Sequence, residues 1–421
     1  MRTVSHVFGT KVVDYLLKFI TGILITRTLG PSDKGILTFA MLVVTWTVTF
    51  GNLSFFDANI YLLGSRRFSL SEAAMTSFVL SLASGLLYAL LLFIIVRSRL
   101  VHWPVGNPWV FLALLMTIPF NILANNSTSI LQGLSWFKLY NLLTVTASFV
   151  YLAAVVAARY LAEDRLAGIV AATVGSNILI AAIMVFCLGK AANWKLRFSG
   201  RYLREGLLYG LRGHVRVLLT QVTVRFDQFV LGAMLEPVYL GWYSVAAGLS
   251  EGLLMLPDSV GMLLFPRVAA EPNTAAMLAA RACRCTLLVT LGAAAALAMC
   301  GRLLIGVLYG HRFYPAANPL YLLCGAIVFQ SASRVLRNYF YGVGRPQLSL
   351  WSTGSAGVVI ALLIFPLVKT YGMIGAALTS LIAQVIGATV DVLLATRVSA
   401  MPTSQFIFPQ RADLRLAVWK P

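Results

Sequence analysis

The stretch "LGPSDKGILTFA" at 29–40 returns 206 residues later as "LEPVYLGWYSVA" at 235–246. Leu29, Pro31, Gly35 and Ala40 are matched by Leu235, Pro237, Gly241 and Ala246. Four shared residues carry weight only if other pairs keep the offset, and they do. "LAGIVAA" (166–172) pairs with "MIGAALT" (373–379), which sets Gly168 and Gly375 207 apart. "LQGLSWFKL" (131–139) pairs with "FYGVGRPQL" (340–348), which sets Gly133 and Gly342 209 apart. In a chain of 421 residues, offsets near half the length describe one half written twice.

The repeated half belongs to a membrane. Hydrophobic residues make up 59% of the chain and charged residues 11%, against roughly a quarter charged in soluble domains. Twelve apolar stretches reach the ~20 residues that cross a bilayer. They lie near 9–28, 36–57, 74–96, 108–130, 139–160, 166–189, 207–234, 238–265, 283–309, 317–341, 347–368 and 371–396. Spans must be helices, because unpaired backbone cannot be left in hydrocarbon, and the alternating polarity of a barrel is missing. Each recurring motif pairs span n with span n+6. The fold class expected is therefore an all-α polytopic membrane protein, with about 12 transmembrane helices in two six-helix lobes related by a pseudo-two-fold axis around a central cavity. The boundaries expected are an N-lobe at 1–189, a basic cytoplasmic linker at 190–206, a C-lobe at 207–397 and a cytoplasmic tail at 398–421. Six spans per half make the repeats parallel, a plan used by secondary transporters.

Several function classes fall away. Connections are too short for a soluble catalytic domain, there is no nucleotide-binding P-loop motif, and no nucleophile–base pair appears, so an enzyme is not expected. The "CRC" at 283–285 has no partner at metal-ligand spacing, so neither metal nor cofactor is expected, and all five cysteines read as structural. The opening residues lack a cleavage site after a short apolar core and read as a retained first helix. With both termini inside, cytoplasmic segments hold 19 Lys and Arg, including Arg411, Arg415 and Lys420, against 9 outside, including Arg99. The net charge of +19 is thereby dispersed over short loops that face anionic lipid, which excludes a nucleic-acid partner.

Ionisable groups inside spans are costly and mark function. On the first span Lys11, Asp14 and Lys18 share one helical face. On the seventh, Arg212, Arg216, Thr220, Thr223 and Asp227 form a stripe from which Arg225 points away, and Asp227 is a possible partner for Arg225. The eighth carries Ser244, Glu251 and Asp258 at seven-residue steps; the tenth carries Gln330, Arg334, Arg337 and Tyr341; the twelfth carries Ser380, Gln384 and Asp391. Asn121, Asn125, Asn141, Thr144 and Ser148 read as interhelical hydrogen-bond donors. For Lys11, Arg334 and Arg337 snorkelling to headgroups is the competing reading, and Asp14 could serve only to neutralise Lys18. The cations cluster toward the cytoplasm on the first helix of each half, which suits an anionic substrate, and guanidinium forks suit phosphate. Candidate diphosphate ligands are Arg212, Arg216, Lys18, Lys11, Arg334 and Arg337; candidates for ion coupling are Glu251, Asp391 and Asp14.

"RTLGPSDKG" (27–35) resembles the signature after the first span of polysaccharide flippases, a branch of the multidrug/oligosaccharidyl-lipid/polysaccharide exporter superfamily, through Arg27, Leu29, Gly30, Pro31 and Gly35. The segment 225–269 is similar to that branch's seventh and eighth helices through Asp227, Gly232, Gly241, Tyr243, Ala246, Pro257 and Pro266; "LYGHRF" (308–313) and "YGMIGAALTSLI" (371–382) add to the likeness. The resemblance covers nearly the whole chain. It implies alternating access that carries a polyprenyl-diphosphate-linked oligosaccharide from the cytoplasmic to the outer leaflet of the inner membrane. It further implies cavity cations against the diphosphate, and membrane lipids, a polysaccharide polymerase and glycosyltransferases as partners. Some cell-wall-precursor flippases of this kind carry two further helices, and a chain ending after the twelfth is expected to fall outside that subgroup. The rival readings are an ion-coupled exporter of organic cations, which needs an acidic cavity, and a non-transporting scaffold, which needs its buried charges paired off.

Overall fold

The computed structural model describes residues 2–98, 108–195, 197–271 and 273–410. Arg99, Arg411, Arg415 and Lys420 of the charge count, and residues 411–421 of the expected tail, lie outside them. The described residues form α1 (Arg2–Asn52), α2 (Phe55–Gly64), α3 (Leu70–Ser98), α4 (Pro108–Leu115), α5 (Thr117–Gly133), α6 (Phe137–Leu161) and α7 (Arg165–Ala191). There follow α8 (Gly200–Met234), α9 (Pro237–Glu251), α10 (Met255–Ala270), α11 (Ala275–Tyr309), α12 (Ala317–Gly342), α13 (Leu348–Ser399) and α14 (Ser404–Ile407). They contain no strand.

Nine helical segments among them are long and apolar enough to cross a membrane. Two of the nine are double. In α1 the backbone leaves the helix at Gly30 (φ 76°), immediately before Pro31, and in α13 at Gly372 (φ 57°). Both angles lie in the left-handed region that glycine adopts without steric cost. The remaining span is α8, a single 35-residue helix whose charges keep it out of the nine. Twelve spans result, as expected, and the protein is a multi-pass membrane protein.

Three spans are not continuous. The second breaks at Leu53 and Ser54, both left-handed (φ 49° and 56°), and resumes as α2. The reason lies on α8. A Cβ at Gly210 would sit 2.5 Å from the Leu53 carbonyl oxygen, and the Ser54 hydroxyl and His214 Nδ1 are 3.0 Å apart, so α8 packs directly on the broken backbone. The fourth span divides at Met116, three residues before Pro119, and the eighth is interrupted by a 3-10 turn at Gly252–Leu254, three residues before Pro257. In each the proline ring excludes the carbonyl four residues back and removes an N–H from the ladder. The basic connection is also shorter than expected, since α8 is already helical from Gly200.

The chain divides into two compact units, Met1–Leu218 and Leu219–Pro421, with the division inside α8. In the first unit an apolar cluster of Phe55, Leu62, Ile130, Leu131, Met184 and Tyr202 draws together α2, α5, α7 and the start of α8. Beside it stands a polar knot. Asn59 Nδ2 donates to Ser129 Oγ (2.9 Å) and its Oδ1 accepts from Tyr202 OH (2.8 Å) and Ser77 Oγ (3.3 Å), while Asn126 Nδ2 donates to Ser81 Oγ (3.0 Å). Asn59, Asn126, Ser81, Ser129 and Tyr202 are all 0% exposed, so these bonds have no competition from solvent. Sequence placed the polar face of this span on Asn121 and Asn125; Asn125 is in fact exposed, and Asn126 turns inward. In the second unit Leu264, Val268, Cys283, Leu336, Tyr339, Phe340 and Phe406 form the corresponding core.

The paired glycines of the repeat hold matching posts. Gly133, closing α5, approaches α2 so closely that a Cβ would lie 2.9 Å from the Asn59 carbonyl. Gly342, closing α12, approaches α10, with Val268 Cγ1 2.4 Å from the same imagined atom. Each therefore lets the fourth helix of its half meet the second. We expect Gly342→Val to lower stability by ~1–3 kcal/mol through overpacking, read as a reduced thermal midpoint in detergent. An unchanged midpoint would show that the contact is dispensable.

Candidate functional site

Lys18, Arg216, Arg225 and Arg334 are each held by a carboxylate. In the first unit Lys18 Nζ lies 2.8 Å from Asp14 Oδ2, one turn away, and Asp14 Oδ1 accepts from Ser148 of α6. Ser148 is thus the interhelical donor expected of it. Lys11 and Lys18 are exposed on the same face of α1. On α8, Arg212 and Arg216 are both exposed, and Arg216 Nη2 reaches Asp57 Oδ2 of α2 at 3.5 Å. Asp57 is a partner that spacing does not point to; its only signal is a carboxylate in the "FFDAN" (55–59) that closes the second span, 159 residues from Arg216.

In the second unit the sequence pairing needs correction. Arg225 does not take Asp227. It forms a two-pronged pair with Glu251 at the end of α9, Nη1 to Oε1 at 2.8 Å and Nη2 to Oε2 at 3.0 Å. Asp227 faces the interior of its own unit, where Oδ2 accepts from Tyr243 OH (2.5 Å) and Ser380 Oγ (3.0 Å) and Oδ1 from the Gln228 N–H (2.7 Å). The reason is helical rotation: residues 225 and 227 are about 200° apart at 100° per residue, so the two cannot share a face. The arginines and Asp227 of the α8 stripe accordingly do different work. Arg334 of α12 gives Nη1 to both oxygens of Asp258 on α10, at 2.6 and 2.5 Å, an ion pair where snorkelling was the competing reading. Glu251 lies within electrostatic range of Arg334 as well.

Asp391 is the third carboxylate expected for ion coupling and has no salt bridge among the described residues. It is 2% exposed on α13, near Ser333, Ser352 and Arg337, and its Oδ1 has no hydrogen-bond partner. Asp14 and Glu251, the other two, are engaged by Lys18 and Arg225. Of the signature residues, Gly30 and Pro31 make the break in α1, and Pro237 of the repeat opens α9. Gly35, Gly241, Ala40 and Ala246 are buried where the second helix of each half packs. Pro257 is buried beside the 3-10 turn, Pro266 sits exposed within α10, and Arg27 is exposed.

Residues 24–318 match the family model described as polysaccharide biosynthesis protein. The chain belongs to that family. No curated protein matches the sequence. Among solved structures, the lipid II flippase MurJ in an inward closed conformation superposes with a TM-score of 0.78 at 17% identity, over 95% of this chain and 88% of that one. An inward-facing multidrug-resistance MATE transporter of the MOP superfamily gives 0.70 at 16%, over 92% and 95%. A MOP-superfamily transporter from Pyrococcus furiosus, described for the reverse polarity of its binding pocket, gives 0.62 at 16%, over 93% of each chain. At these identities the likeness establishes the fold: this family member has the helical fold shared by lipid II flippase and the MATE transporters.

Proposed function

We propose that the protein flips a polyprenyl-diphosphate-linked oligosaccharide from the cytoplasmic to the outer leaflet of the inner membrane by alternating access. In this reading residues 1–189 and 207–397 are its two lobes, both termini are cytoplasmic, and a polymerase and glycosyltransferases are its partners. The observation that carries the reading is the exposed pair Arg212 and Arg216, one turn apart on α8 in a chain with only 11% charged residues. Arg216 already reaches Asp57 at 3.5 Å, yet both guanidinium groups are exposed and carry several donors each, and a diphosphate offers bidentate acceptors for them. Lys11 and Lys18 of α1, and Arg334 and Arg337 of α12, supply further positive charge in their own units. The reverse pocket polarity described for the Pyrococcus furiosus protein suggests that this fold does not itself choose the sign of the cargo; the side chains do. The cation-exporter reading needs free acids, and Asp14 and Glu251 are paired with Lys18 and Arg225. Arg216 and Arg334 are likewise paired with Asp57 and Asp258, so what favours the anion is the exposed Arg212 beside Arg216.

A diphosphate carrying about two charges cannot enter hydrocarbon unaided, and a hydrated path with fixed guanidinium groups replaces its solvation. With the cytoplasm negative, outward movement is favoured by roughly 2.3 kcal/mol per charge per 100 mV, so potential alone can drive export. The test is leaflet exchange of a fluorescent polyprenyl-diphosphate oligosaccharide in proteoliposomes, read by an impermeant quencher, beside efflux of an organic-cation dye. Lipid exchange accelerated by an inside-negative potential is expected. Dye efflux without lipid exchange would overturn the proposal in favour of the exporter.

A further inference from the structure

In the second unit Arg225 and Arg334 are held by two carboxylates that come from one interrupted helix. Glu251 is the last residue of α9, the 3-10 turn Gly252–Leu254 follows, and Asp258 lies in the first turn of α10 just after Pro257. The two carboxylates flank the break and take two arginines from two different helices, Arg225 of α8 and Arg334 of α12. Asp227 completes the charged surroundings, within electrostatic range of Arg225 and Glu251.

None of the four side chains is sealed off inside the unit. Side-chain exposure is 33% for Arg225 and 31% for Glu251, and 26% for Arg334 and 51% for Asp258. Because each guanidinium group is partly exposed, a ligand can reach it and displace its carboxylate without unpacking a core. The first unit has one pair of similar exposure, Arg216 and Asp57 at 47% and 38%.

We propose that Glu251 and Asp258 are stand-in anions that occupy Arg225 and Arg334 in the substrate-free protein and yield them to the substrate's diphosphate. The inference rests on the flippase reading and deepens it. Two carboxylates are exchanged for a group of about two negative charges, so the positive charge of the unit stays compensated with and without cargo. An empty site of bare guanidinium groups would be costly to maintain and would hold any passing anion; the carboxylates set a threshold that only a multiply charged, fork-matched ligand exceeds. Because both flank one break, bending there would alter both pairs together.

The experiment measures the affinity of full-length protein in nanodiscs for farnesyl diphosphate. Neutralising a competitor for the arginine should tighten binding, so Asp258→Asn and, independently, Glu251→Gln are each expected to lower Kd about fivefold, with Asp258→Glu near wild type. Either neutral variant suffices if the other does not fold. Folded neutral variants that bind no tighter than a binding wild type would overturn the stand-in role alone. A wild type with no affinity for farnesyl diphosphate would overturn both this role and the flippase reading.

Discussion

Replacing Arg212 and Arg216 together by alanine should reduce leaflet exchange of the diphosphate-linked lipid by about a hundredfold or more while leaving the helix folded. Each removes a charge-assisted contact worth ~1.5–3 kcal/mol, which is roughly ten- to a hundredfold apiece. Alanine is a strong helix former and both side chains are exposed, so neither change opens a cavity in α8. The Arg212→Lys/Arg216→Lys variant separates charge from shape. It keeps both positive charges and loses the fork, and should retain intermediate activity if bidentate phosphate contact matters. Full activity in the double alanine variant would remove the diphosphate from this face of α8.

The second large effect is expected at Asn59. Asn59→Leu should cost ~3–5 kcal/mol, read as loss of folded yield or a large fall in thermal midpoint. One side chain bridges Ser77 of α3, Ser129 of α5 and Tyr202 of α8 at 0% exposure, so its loss leaves several buried polar groups without partners at once. Each such group costs ~1–3 kcal/mol, and in the absence of water the knot cannot be repaired. Asn59→Ser, which can keep one bond, should fall between. A Leu variant as stable as wild type would show that these helices are held by the apolar cluster of Phe55, Phe68 and Tyr202 alone.

The residues legible in sequence and those that were not divide along a physical line. Spans are legible because hydrocarbon admits few backbone solutions, and the repeat is legible because turns and close approaches demand particular residues: Gly30 with Pro31, Pro237, and the contacts of Gly133 and Gly342. Helical periodicity placed Lys11, Asp14 and Lys18 on one face and separated Arg225 from Arg212 and Arg216. Pairing between helices was beyond it. Whether Arg225 would meet Asp227 or Glu251, and whether Asp57 would meet Arg216, depends on how helices rotate against one another, which one-dimensional spacing does not carry. Asn59 and Asn126 were missed for a related reason. A single polar residue in an apolar span reads the same whether it faces lipid or a partner, and the one-residue step from Asn125 to Asn126 decides which. The break at Leu53 and Ser54 left no local signal, since its cause is Gly210 on another helix.

The most direct measurement compares the leaflet exchange of one fluorescent oligosaccharide on two carriers, a polyprenyl diphosphate and the same polyprenol joined through a neutral linker, in wild-type proteoliposomes under an inside-negative potential. A guanidinium-lined flippase predicts fast exchange of the diphosphate form, accelerated by the potential, and little exchange of the neutral one. Equal exchange of the two, with no response to the potential, would contradict the assignment of the α8 arginines to the diphosphate.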